Sequence, residues 1–299
     1  MPSGTVRKLG IVAGGGDLPQ AVARRCVAED RPFYVVRIKG FADEALARYE
    51  GSESRIGEFG RTIKLLKAAG CEAVCFAGVV QRPDFRDMKP DLKGATILPG
   101  LIKAAAKGDD ALLRHVLGVF EAEGFAVEGA DQVLGGETVP VGALGRHAPD
   151  EAALADLRKA LEVARAAGEL DIGQGAVVCD GLVLAVEAQE GTDAMLARVA
   201  ALPDTLRGRP DARRGALAKA PKPIQDERVD MPVIGVRTVE GAAAAGLAGV
   251  AGMAGKLILI ASRSIRISLP AIPATPPRPA AAAPSMVRTP ITGMSTRSS

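Results

Sequence analysis

Basic and acidic side chains crowd one short stretch of the chain, Lys219-Ala220-Pro221-Lys222-Pro223-Ile224-Gln225-Asp226-Glu227-Arg228. Lysines there could offset charge developing on a phosphoryl group, and a carboxylate such as Asp226 could orient water or a metal ion. The prolines restrict the path of the stretch, and rigidly held loops commonly carry catalytic groups. The same residues also read as a solvated connector, and nothing in the stretch itself decides between the two.

A second group is Glu187-Ala188-Gln189-Glu190-Gly191-Thr192-Asp193. A strand ends here, a glycine turns the chain and a helix starts. Helix capping accounts for Thr192 and Asp193. It does not account for Glu187, a carboxylate at a strand end that is costly if buried without a partner.

Three further segments have the residue types that hold phosphates or cations. Gly14-Gly15-Gly16-Asp17-Leu18-Pro19 falls between a strand and a helix. Glycines let backbone approach a phosphate, and a helix N-terminus offers N–H groups and positive dipole. The alternative is a tight turn without a ligand, although three glycines exceed what a turn needs. The segment lacks the third glycine of GxGxxG, which argues against a nicotinamide site. Gln81 and Arg82 end the run Ala77-Gly78-Val79-Val80-Gln81-Arg82-Pro83. They suit a phosphate or a uracil edge, and equally an ordinary loop. Lys107-Gly108-Asp109-Asp110 precedes a helix. Its carboxylates could bind hydrated Mg²⁺, but taken alone they are better explained as an N-cap and dipole partners.

The scarcity of other chemistry narrows the mechanism. The chain has two histidines, His115 and His147, too few for a His-rich dinuclear metal site. His115 falls mid-helix and His147 in a linker, so neither reads as a base. The cysteines Cys26, Cys71, Cys75 and Cys179 form no CxxC pair and read as reduced, packed thiols of a cytosolic protein. Carboxylates and backbone amides remain.

The elements that must position these groups follow from periodicity. Apolar runs at 7–13, 33–38 and 72–77 read as strands, and 20–29 and 59–69 as helices. This alternation indicates a doubly wound parallel sheet. Helices follow at about 97–106 and 110–123, then a short strand and turn over 125–134. Breakers over 135–149 mark a candidate domain boundary. Beyond it come a helix at 150–167, strands at 176–179 and 182–186 around Asp180-Gly181, a helix at 192–201 with Thr192 as N-cap candidate, strands at 216–219 and 233–236, a helix at 239–247 and apolar pieces to 260. Apolar residues are 47% of the chain but aromatics only 3%, so the core is built from small side chains. The domains are expected at 1–140, 141–260 and, as a disordered tail, 261–299.

The formal charge of +3 includes five arginines after residue 260, where there is no acid, which leaves −2 for residues 1–260. A nucleic-acid surface is not indicated. No stretch approaches the roughly 18 apolar residues of a spanning helix, so any contact with lipid is expected from the water side. A homodimer is expected only because two-fold dimers are common.

Taken in order, six segments resemble the LpxI family of UDP-2,3-diacylglucosamine pyrophosphatases: LGIVAGGGDLP from Leu9, the run Ala77 to Pro83, KGDDAL from Lys107, GQGAVV from Gly173, EAQEGTDAML from Glu187 and KAPKPIQD from Lys219. The resemblance covers about residues 7–260. It implies two α/β domains, the first Rossmann-like, with substrate between them. It also implies Mg²⁺-dependent hydrolysis of UDP-2,3-diacylglucosamine to UMP and 2,3-diacylglucosamine 1-phosphate in lipid A synthesis. The cellular place it implies is the cytoplasm, peripheral to the inner membrane at closest. The catalytic role passes to Asp226. The matched segments imply substrate contacts from Gly14, Gly15, Gly16, Asp17, Leu18, Gln81, Arg82, Lys107, Asp109, Asp110, Gln174, Glu190, Gly191, Thr192, Asp193, Lys219, Lys222 and Gln225, with Asp226 and Glu187 toward the metal. Two other readings stay open: a protein that binds a nucleotide sugar or lipid without chemistry, and an NAD-dependent oxidoreductase.

After Ile260 the character changes. Seven of the 20 prolines and the run Ala280 to Ala283 fall in the last 39 residues. Family members are expected to continue with an acidic residue, a last helix and a strand, so a frameshift in a GC-rich gene is the expected origin of this tail. Sequencing the locus tests this: the frame should break near codon 260, and intact reads through Ser299 would refute it.

Overall fold

The computed structural model describes residues 6–81, 84–135, 142–143, 150–222, 231–253, 256–260 and 270–271. The first half runs β1 (Leu9–Ala13), α1 (Leu18–Ala28), β2 (Phe33–Ile38), a 3₁₀ turn (Glu44–Arg48), β3 (Gly51–Ser54), α2 (Phe59–Ala68), β4 (Ala73–Ala77), α3 (Leu92–Ala105), α4 (Asp109–Ala122), β5 (Ala126–Val127) and α5 (Ala130–Val133). Its five strands are parallel, in the order β3-β2-β1-β4-β5.

Strand pleat divides the sheet residues between two cores. Leu9, Ile11 and Ala13 of β1 join Val22, Ala23 and Cys26 of α1 and Ala130 and Val133 of α5 on one face. Val12, Val36 and Val74 join Ile63 and Leu66 of α2 and Phe120 of α4 on the other. Helices on both faces give the doubly wound arrangement expected from the alternation of elements. Met231, Ile258 and Ile260, far along the chain, are buried with the first face.

The second half runs β6 (Gly142–Ala143), α6 (Glu151–Glu169), β7 (Gly175–Cys179), β8 (Leu182–Val186), α7 (Gly191–Ala200), β9 (Ala216–Lys219), β10 (Val233–Ile234), α8 (Val236–Ala244), β11 (Gly249–Gly252), β12 (Ile258–Leu259) and β13 (Pro270–Ala271). Four strands form a mixed sheet in the order β11-β9-β7-β8, in which only β11 and β9 are parallel. Leu157, Ala160 and Ala164 of α6 cover Ala176, Val178, Ala216 and Ala218 on one face. Met195, Leu196 and Val199 of α7 and Ala242 of α8 cover Val177 and Leu217 on the other. β10 and β12 make a separate parallel pair.

Several elements differ from expectation for local reasons. β3 is short and polar, an edge strand without the apolar run that marks a buried one. It is secured by buried Ser54, whose hydroxyl accepts from Thr62 at 2.9 Å. α3 begins five residues early because Asp91 caps it, accepting from the Gly94 amide at 2.7 Å. α5 occupies part of the segment expected as strand and turn. Of the expected tail, Pro270–Ala271 pairs antiparallel with Gly142–Ala143, and the rest lies outside the described residues.

The hairpin at Asp180-Gly181 forms as its sequence indicates, with φ of +50° and +76°. Asp156 of α6 holds it, accepting from the amides of Asp180 at 2.9 Å and Gly181 at 2.8 Å while 5% exposed. Asp156→Ala should leave both amides without an acceptor. It should lower stability by roughly 1–3 kcal/mol, read as a shift in the urea midpoint.

Candidate active site

Strand order reverses between β1 and β4, and in open α/β sheets ligands bind beyond the carboxyl ends of the strands at such a point. The loops that leave β1 and β4 here are the expected Gly14–Asp17 and Gly78–Gln81. Backbone bonds join them: the Gly14 amide donates to Ala77 O at 2.8 Å, Gly15 to Val79 O at 2.8 Å, and Val79 back to Gly15 O at 2.9 Å. A β-carbon at Gly14 would lie 2.7 Å from Val79 O, and one at Gly78, where φ is +92°, would run into Gly15 O. Glycine at 14 and 78 therefore permits the close approach of two loops. The amides of Gly14 and Gly15 are engaged in it, so the extra glycines need no phosphate to explain them. Gly16, Asp17 and Leu18 lead into α1. Asp17 holds the N-cap position without a side-chain cap bond, and its carboxylate lies 4.0 Å from Arg237 Nε of α8.

At one end of the second sheet, Lys219 closes β9 and is only 4% exposed. A buried ammonium requires acceptors. Its Nζ donates to Thr192 Oγ1 at 2.8 Å and to Val233 O at 3.2 Å. Thr192 in turn donates to Glu187 Oε1 at 2.8 Å. Thr192 is thus not the expected N-cap of α7; that position is Glu190, which makes no side-chain cap bond. The hydroxyl instead links a buried cation to a buried carboxylate. Glu187 is 5% exposed, and its Oε2 has no hydrogen-bond partner among the described residues. Neither has the buried Oε1 of Gln174, whose backbone carbonyl accepts from the Ala220 amide beside Lys219 at 2.9 Å.

The remaining expected residues divide. Lys222 pairs with Asp171 at 2.7 Å. A β-carbon on Gly108 would lie 2.6 Å from Asp171 Oδ2, so this ion pair marks where the 107–110 loop meets the second half. Gly108, not an aspartate, takes the N-cap position of α4, with Asp109 and Asp110 in the first turn. Asp110 is buried and paired with Arg114 at 2.6 Å, which suits helix support better than Mg²⁺. Lys107 and Gln81 are exposed. Glu190 bonds Arg198 at 2.5 Å. Its own backbone amide and then Arg198 hold its carboxyl below the ordinary range. Gly191, at φ +79°, opens α7. Asp193 lies 3.9 Å from Arg237 Nη1. Arg82, Gln225 and Asp226 lie outside the described residues.

Arg237 had no signal in the sequence, since a single arginine after Gly235-Val236 matches no motif. Gln174 was reached only through the family resemblance. The cysteines and His115 drop out, and His147 lies outside the described residues. All four cysteines are buried, and burial pushes the Cys26 and Cys71 thiols up to about 11. The His115 ring sits against Gly100 of α3, as a helix-packing residue does. Among the described residues no three His, Cys, Asp or Glu side chains gather as a metal site.

Thr192→Val keeps the shape of the side chain but removes both the acceptor for Lys219 and the donor to Glu187. It should cost roughly 1–3 kcal/mol of stability, measured by urea unfolding, and Thr192→Ser should retain most of it.

Two family descriptions match the chain: the LpxI N-terminal domain over residues 8–136 and the LpxI C-terminal domain over residues 140–268. The second match runs eight residues past Ile260, into the segment whose composition is atypical. The UDP-2,3-diacylglucosamine pyrophosphatase LpxI of Caulobacter vibrioides is 60% identical over 241 residues, covering 81% of this chain and 86% of the relative. With both domains matched in order and a relative this similar over most of its length, the chain belongs to the LpxI family.

Proposed function

We propose that the protein hydrolyses the pyrophosphate bond of UDP-2,3-diacylglucosamine, releasing UMP and 2,3-diacylglucosamine 1-phosphate for lipid A synthesis. The identity of 60% to a relative named for this substrate carries the reading. The geometry supports it. The carboxyl ends of β1 and β4, the natural place for a nucleotide in such a sheet, lie beside Asp17, which faces Arg237 and through it Asp193 at the start of α7. Lys219 and Lys222 end and follow β9 in the same half, and basic groups of this kind balance phosphoryl charge.

The chemistry required is attack of water on the phosphorus nearer the sugar. The new P–O bond forms as the bond to the bridging oxygen breaks, and UMP leaves with that oxygen. Asp226 is the carboxylate proposed to orient the water and accept its proton, since among the described residues neither His115 nor a cysteine is suitably placed. Lys219, positioned by Thr192 and Val233 O, supplies a fixed positive charge that needs no rearrangement during reaction.

The residues present fit Mg²⁺ in one respect. Magnesium is usually held by one or two carboxylates together with substrate phosphates and water, and Glu187 Oε2 is a buried carboxylate oxygen without a donor among the described residues. Glu187, with Asp226, would hold the ion, which would neutralise non-bridging phosphate oxygens. The substrate's acyl chains imply a peripheral approach to a bilayer. No helix among the described residues is long and apolar enough to cross one.

Purified protein should release UMP from UDP-2,3-diacylglucosamine in detergent micelles, followed by chromatography. EDTA should abolish the release and added Mg²⁺ restore it. Asp226→Ala should reduce the rate at least about 10³-fold, the scale of losing a positioned general base. Binding without turnover by the wild type would favour the non-catalytic alternative.

A further inference from the structure

Of the cations near the candidate site, most already have close acceptors. Lys219 is held by Thr192 and Val233, Lys222 by Asp171, and Arg198 by Glu190 and Val186 O. Arg237 differs. Among the described residues the carboxylates it pairs with are those of Asp17 at 4.0 Å and Asp193 at 3.9 Å, both beyond hydrogen-bond length. Its side chain is 62% exposed, as is 61% of Asp193 and 40% of Asp17. Exposed pairs at such distances hold weakly. A guanidinium has five N–H donors arranged for bidentate contact with phosphate.

Position adds to this. Arg237 is the second residue of α8, after the N-cap Gly235. Its Nη2 lies 3.5 Å from where a Gly16 β-carbon would be, so it reaches the loop leaving β1 at the strand-order reversal. It also reaches Asp193 in the first turn of α7. The starts of α1, α7 and α8 therefore meet around one guanidinium, and each start favours negative charge. The sheet topology and the side-chain geometry indicate the same place.

We propose that Arg237 is a catalytic residue that contacts the pyrophosphate directly. It leaves its two distant carboxylates and takes non-bridging oxygens of the substrate in a bidentate grip. There it stabilises the charge that grows as the water oxygen bonds to phosphorus and UMP departs. This inference rests on the pyrophosphatase reading above.

The test uses the full chain and detergent-solubilised UDP-2,3-diacylglucosamine, with UMP release and thermal unfolding measured in parallel. Arg237→Ala should lower kcat/KM by roughly 10²–10³, the cost of removing one preorganised transition-state donor. Its unfolding temperature should stay within a few degrees of wild type, about the effect of losing weak surface pairs. Arg237→Lys, which keeps charge but not the fork, should recover only part of the rate. Millimolar guanidinium should partly rescue Arg237→Ala and leave wild type unchanged. Wild-type kcat/KM in Arg237→Ala, or a loss that follows a fall in unfolding temperature and is not rescued by guanidinium, would overturn the inference while leaving the function intact. Failure of the wild-type chain to release UMP would overturn both.

Discussion

The arrangement of the second half depends on one buried positive charge. Lys219 ends the inner strand β9 at 4% exposure, and an ammonium there is tolerated only if acceptors surround it. Thr192 and Val233 provide them, and Glu187 completes the network through the Thr192 hydroxyl. This requirement brings together the turn from β8 to α7, the end of β9 and the entry to α8. These segments are separate in the chain, and Glu187, Glu190, Gly191, Thr192, Asp193 and Lys219 of the candidate site lie on them.

A second constraint acts in the first half. The loops that leave β1 and β4 are joined backbone to backbone, and only glycine at positions 14 and 78 allows that separation. The pairing makes a firm floor at the strand-order reversal. Met231, Ile258 and Ile260 are buried in the same core as β1 and α1, so the segments that flank α8 are anchored against the first sheet. Arg237 reaches the β1 loop because its helix is held from both sides.

This arrangement suits phosphoryl chemistry without histidine. Water attack on a pyrophosphate mainly requires positioning and charge neutralisation, which lysine, arginine and helix starts can provide. Burial pushes the Cys26 and Cys71 thiols up to about 11 and raises the other two as well, which disfavours the thiolate. A carboxylate base is the reading proposed above, the role that the family resemblance implies for Asp226.

Much of this was legible in the residues alone. The parallel sheet of the first half followed from apolar strands alternating with amphipathic helices, because a strand buried on both faces needs a continuous apolar run. The hairpin at Asp180-Gly181 followed from residues that accept positive φ. The glycine loop, the 187–193 segment and the 219–222 segment stood out because their charges and breakers admit phosphate or metal chemistry beside the simpler readings of turn, cap and connector. Other features were not legible. β3 has no apolar run, and an edge strand does not need one. Thr192 looked like a cap because capping is a local rule, whereas its actual partner, Lys219, lies 27 residues away. The second and third glycine functions of the first loop could not be separated, since loop pairing and phosphate binding make the same demand for small residues. Arg237 carries no motif, and its role depends on where three helices start in space. The sequence by itself determined most of the elements, the small-residue cores and a supply of only two histidines, because these depend on local periodicity and residue type. Only the tertiary structure decided which charges meet, because the burial of Lys219 and the exposure of Arg237 are properties of the packed chain.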